Sequence, residues 1–126
     1  MRRRLIKNLQ TVLMIGFLMS GAAHILMTIE SVPVAFFFRS CHEVGDGLVL
    51  LALFYGIPKL FKVESIGGCA AFVSLWMSIG SFVSMILFGY IGDEWGNQWP
   101  LIISGAVLAL LPLLILLRRR YVQSVI

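Results

Sequence analysis

The stretch Phe36–Gly47, FFFRSCHEVGDG, decides how this chain must fold. Arg39, His42, Glu43 and Asp46 stand inside an apolar run that extends from Pro33 to Ile57. On a helix these four positions are spaced i, i+3, i+4 and i+7, so all of them project from one face. Phe37, Phe38 and Cys41 lie away from the centre of that stripe. At ~1.5 Å per residue, Arg39 sits about 9 Å and Asp46 about 20 Å along a helix begun at Pro33. The run is long enough to cross a ~30 Å hydrocarbon layer, which puts the stripe at mid-membrane depth. A charge there costs at least ~2.5 to 3.5 kcal/mol, so the stripe cannot face lipid. Arg39 and Glu43 can pair at i, i+4, which leaves His42 and Asp46 to find water, backbone or another helix. The four are candidate substrate or proton pathway residues, because ionisable groups inside a membrane are functional by default. A salt-bridged stripe at a structural helix interface is the alternative.

The rest of the sequence supports a membrane setting. The chain has 126 residues, 60% of them apolar, and a mean hydropathy of +0.96. That is more hydrophobic surface than one soluble core of this length can bury. Four apolar stretches, 9–29, 33–57, 66–92 and 100–117, are each near the ~20 residues that a spanning helix needs. The expected fold is therefore an all-α integral membrane protein with four transmembrane helices in a single membrane domain over 1–126, a multi-pass protein of the cell (inner) membrane.

Charge placement predicts orientation. Arg2, Arg3, Arg4 and Lys7 precede span one, Lys59 and Lys62 separate spans two and three, and Arg118, Arg119 and Arg120 follow span four. The other connectors, around Glu30 and from Asp93 to Trp99, carry no Lys or Arg. Basic residues concentrate on the cytoplasmic side, so both termini are expected to be cytoplasmic. The net charge of +4 thus sets topology, with a weak attraction to anionic headgroups. It does not point to nucleic acid, since no basic residue alternates with aromatics in a soluble segment. The expected partners are the lipid bilayer and further membrane helices.

The N-terminus also fits a crude signal-peptide template, MRRR followed by an apolar run and the small residues Ser20 to Ala23. Apolar character nevertheless continues to Ile29, a full spanning length. Cys41 and Cys69 form no CxxC pair and read as packing residues. No His, Cys, Asp or Glu spacing matches a metal or nucleophile constellation, so no cofactor, no metal and no enzyme activity is expected.

Span one offers Gly16, Ser20 and Gly21 for close helix approach, and one ionisable residue, His24, which joins the substrate or proton pathway candidates because it lies at a depth similar to Arg39. Span two opens with Ser31 as a candidate N-cap and Pro33 in the first turn. Span three is rich in small residues, with Ser74 and Ser78, and Gly80 and Ser84, at small-xxx-small spacing, and Gly89 beyond. This predicts a central, crowded helix whose packing residues are Ser74, Ser78, Gly80, Ser84 and Gly89. Span four, PLIISGAVLALLPLLILL, has no ionisable residue and reads as a peripheral, lipid-facing helix kinked at Pro112. Tyr90, Trp95 and Trp99 near its outer end and Tyr121 near its inner end read as interfacial anchors.

This order of helices resembles four consecutive helices of a major facilitator superfamily transporter, three to six or nine to twelve of its twelve. RRRLI, Arg2–Ile6, looks like the tail of the family's G-x-x-x-D-R-x-G-R-R loop. Arg39 matches the arginine of its R-x-x-Q-G motif, with His42 at the glutamine position and Glu43 in place of the glycine. GSFVSMILFGYIGDEWGNQWPLI resembles the glycine-rich fifth or eleventh helix and the turn after it, with Gly80, Ser84, Gly89, Gly96 and Trp99 carrying the match. Met85 stands where the family's antiporters often have proline, so symport and antiport stay open.

The resemblance implies that span two lines a substrate cavity, span three lies between the two halves and span four faces lipid. It implies a partial or remnant solute transporter, since alternating access needs two repeats rocking about a midplane site. The short segment after Arg120 favours helices nine to twelve. In an intact transporter Arg39 would pair with an anionic substrate group or a carboxylate, and Glu43, Asp46 or His42 would relay protons. A different class also fits the residues: a small four-helix membrane protein that binds and stabilises or regulates a larger membrane complex.

Overall fold

The computed structural model describes residues 2–125, with side chains described from 4 to 118. Arg2, Arg3, Arg119, Arg120 and Tyr121, invoked above for orientation and anchoring, lie outside the described side chains. Among the described residues the chain is all helix: α1 (Arg2–Leu26), α2 (Val32–Leu60), α3 (Val63–Trp95) and α4 (Gln98–Val125). Each is long and apolar enough to cross a membrane. The helices overrun most of the hydropathy-defined spans because a helix extends beyond the hydrocarbon layer wherever its flanks still favour it. α1 is the exception at its outer end, where it stops at Leu26 rather than Ile29. There the Thr28 hydroxyl donates to the Ile25 carbonyl at 2.7 Å, and the Thr28 backbone N–H also bonds to Ile25.

The connectors follow local chemistry. Pro33 occupies the first turn of α2 as expected, and Ser31 takes the extended N-cap conformation, but its hydroxyl makes no capping bond. Between α3 and α4 the turn depends on Gly96, whose φ of +99° is costly for any residue with a Cβ. Its N–H closes on the Gly92 carbonyl at 3.0 Å.

Packing departs from the expected order of helices. The hub is α1, which lies against α2 on one side and α4 on the other. Its glycines set both contacts. A Cβ added at Gly16 would meet the Gly45 carbonyl oxygen at 2.9 Å, and one at Gly45 would meet the Ser20 nitrogen at 2.7 Å. On the other side, a Cβ at Gly21 would lie 2.7 Å from the Gly105 oxygen, and one at Gly105 would lie 2.6 Å from the Gly21 oxygen. In lipid, helices associate through such close backbone approach rather than through apolar burial.

The expectation that α3 is the central, crowded helix does not hold within this chain. None of its residues is buried, and a Cβ at Gly67, Gly68, Gly80 or Gly89 would find nothing within 4 Å. α3 stands off from α2 across a groove of about 500 Å³ lined by Phe54, Ser74, Met77, Ser78 and Ser81. It is held at its ends, as where Gly92 approaches Asn97 and Pro100. Small residues permit close packing but do not supply the partner. Gly80→Ala should accordingly leave the α1–α2 and α1–α4 contacts unchanged, as cysteine crosslinking across each pair would show.

α4 is likewise not simply peripheral. It presents Val107, Leu110, Leu113, Leu114 and Leu117 outward, yet Gly105 and Pro112 are buried. The helix runs unbroken through Pro112.

Candidate functional site: a hydrogen-bonded cluster between three helices

The α1–α2 crossing brings Ser20 of α1 against His42 and Asp46 of α2. Ser20 is fully buried and His42 nearly so. The Ser20 hydroxyl donates to Asp46 Oδ1 at 2.7 Å and lies 2.6 Å from His42 Nδ1. A hydroxyl has one proton to give, so with that proton on Asp46 the second bond must run from His42 Nδ1–H to Ser20 Oγ. His42 Nε2 then faces Asp46 Oδ2 at 3.4 Å, closing a three-residue ring.

α4 joins through His24. The His24 and His42 rings stack with centroids 4.0 Å apart and planes 26° from parallel. Ser104 of α4 donates to the Leu101 carbonyl at 3.2 Å, leaving its oxygen to accept from His24 Nδ1–H at 2.9 Å.

The predicted stripe divides in two. His42 and Asp46 turn toward α1. Arg39 and Glu43 form their own ion pair at 2.5 Å along the edge of α2, with 59% and 57% of their side chains exposed. The structure thus brings together His24, His42 and Asp46, and it sets Arg39 and Glu43 beside them without direct contact to the ring. Ser74, Ser78, Gly80, Ser84 and Gly89 lie on α3, outside the cluster. Among the described residues no group of three His, Cys, Asp or Glu side chains is arranged to hold a metal.

Sequence reasoning missed Ser104 and gave Ser20 only a packing role. A signal was present for Ser20, since it lies one turn before His24 on the same helix face. Ser104 carried none, because a serine in an apolar helix usually bonds its own backbone.

A family model for the Major Facilitator Superfamily matches residues 7–125, nearly the whole chain. The chain belongs to the Major Facilitator Superfamily. Neither the curated proteins nor the solved structures contain a match to it. Members of the superfamily are transporters rather than enzymes, and four spanning helices make this chain a multi-pass integral membrane protein of that transporter class. Within a superfamily transporter the cluster has a plain chemical capacity: two imidazoles, a carboxylate and two hydroxyls set within spanning helices are groups that can exchange protons or bind a polar solute.

Proposed function

We propose that these four helices form part of a small-solute transporter of the Major Facilitator Superfamily, and that α2 lines its pathway. The observation that carries this reading is the Arg39–Glu43 pair, more than half exposed and about 10 to 17 Å along α2. Lipid is a poor environment for that pair, so its open side faces water, solute or further helices. The Ser20, His24, His42 and Asp46 cluster forms the inner wall beside it. The exposed small-residue face of α3 is the surface on which further helices dock, in the same chain or another, and transport requires them. Without them the four helices bind and orient but do not alternate. The charge pattern supports cytoplasmic termini.

A second reading, a four-helix membrane protein that binds and stabilises or regulates a larger complex, draws on the same open α3. It differs in leaving the α2 stripe dry.

Thiol accessibility separates the two. With Cys41 and Cys69 replaced, Arg39→Cys and Glu43→Cys should react with a membrane-impermeant thiol reagent at least tenfold faster than Phe37→Cys, which is also outward-facing. Equal rates at all three positions would refute the pathway reading.

A further inference from the structure

We infer that the groove between the start of α1 and the end of α2 is a binding site for one anionic phospholipid, with the headgroup on Arg4 and Lys59 and an acyl chain between the two helices. The inference goes beyond the transporter reading and does not depend on it.

The groove has a volume of about 380 Å³. Leu5, Leu9 and Val12 of α1 form one wall, and Leu51 and Ala52 of α2 form the other. Its polar lining residues are Asn8 of α1 and Tyr55 of α2. The helices close on each other beside it, since a Cβ added at Gly56 would meet Leu9 Cδ1 at 3.2 Å.

Charge selects an anion. Nine of the chain's ten Lys and Arg residues stand at this end of the helices, against one acidic residue, Glu64, and basic pockets between spanning helices bind anionic headgroups. Two of these cations reach the groove. Lys59 Nζ lies 5.7 Å from the centroid of the Tyr55 ring, a cation–π contact that holds the ammonium at the mouth. Arg4 is exposed and stands one helical turn before Asn8 on the same face of α1. Neither pairs with a carboxylate among the described residues. A phosphate at the mouth accepts from the Arg4 guanidinium, the Lys59 ammonium and the Asn8 amide. A choline headgroup would bring a further cation to the same rim, so a lipid of net negative charge is preferred.

Shape selects a lipid. From Leu5 to Val12 α1 rises about 10 Å. The volume spread over that length gives a mean cross-section of about 36 Å². A helix with its side chains is about 10 Å across and needs roughly 80 Å², so a further helix does not fit. A hydrocarbon chain, whose carbons meet their neighbours at about 4 Å, does. Cations at the helix ends with apolar walls below them match a phospholipid entering from the leaflet on that side. Because both helices form the site, the bound lipid ties α1 to α2 at this end.

Native mass spectrometry tests the site. The full chain in detergent is given equal amounts of phosphatidylglycerol and phosphatidylcholine, and the lipids retained after release are counted. One phosphatidylglycerol per chain should remain, in at least about tenfold excess over phosphatidylcholine. Arg4→Gln with Lys59→Gln should lower the retained fraction by at least about tenfold. Lys62→Gln with Arg118→Gln removes the same charge at the same end from residues that do not line the groove, and should leave retention unchanged. Val12→Phe fills the apolar part with every charge in place and should abolish retention. Leu51→Trp, at a position 60% exposed, repeats that test should Val12→Phe fail to fold. Equal losses from the two charge pairs would mean a diffuse attraction and overturn the site. Full retention in the filled variants, or equal retention of the two lipids, would overturn it as well. A lipid-free dimer that the filled variants abolish would make a second copy the occupant, and the inference would then be wrong.

Discussion

Gly45→Val should separate α1 from α2. Its added Cβ would stand 2.7 Å from the Ser20 backbone nitrogen and 2.9 Å from the Gly16 carbonyl oxygen. Neither is the end of a flexible side chain, so the helices themselves must move. Overpacking of this kind costs typically ~1 to 3 kcal/mol and sometimes more. The upper end applies here because the displacement also stretches both short bonds of Ser20. Denaturant unfolding in mixed micelles should show the loss, and a crosslink between α1 and α2 should disappear. Gly47→Val on the same helix is the control: nothing lies within 4 Å of that position, so stability should change by less than ~1 kcal/mol. Similar losses from both variants would mean that valine harms α2 itself, and the close-contact account would then be wrong.

Ser20→Ala is the second large effect, and it works through chemistry rather than bulk. Alanine fits the space but strands His42 Nδ1 and Asp46 Oδ1, which both bond to the hydroxyl. A buried polar group left unpaired costs ~1 to 3 kcal/mol. Most of the loss should come from His42, whose side chain is only 10% exposed, because Asp46 at 49% can recruit water. A double-mutant cycle with His42→Ala should give a coupling energy of at least ~0.5 kcal/mol, as residues sharing one network do. Additive losses would show that Ser20 and His42 do not act together.

The site was partly legible from the sequence. Helical phase placed Arg39, His42, Glu43 and Asp46 on one side of α2, and the i, i+4 rule paired Arg39 with Glu43, because both depend only on residues of a single helix. The split of the stripe was not legible. Adjacent rows on one face are distinguished only by what stands opposite, and that is Ser20 for His42 and Asp46 and open space for Arg39 and Glu43. Ser104 was invisible for the same reason: its role exists only because α4 lies against His24.

What the sequence determined by itself is therefore local. Apolar length required four spanning helices, phase located the polar face of α2, Pro33 marked the start of that helix, and Gly96 permitted the turn before α4. Which helix became the hub was decided only in the tertiary structure. By count of small residues α3 was the stronger candidate, yet its Gly67, Gly68, Gly80 and Gly89 meet nothing and Gly92 meets only the turn and first residues of α4, whereas Gly16, Gly21, Gly45 and Gly105 sit opposite one another on three helices. In lipid an apolar face gains little by turning inward, so hydropathy does not rank the faces. Facing glycines do, by letting backbones touch, and facing is a property of pairs that no single helix carries.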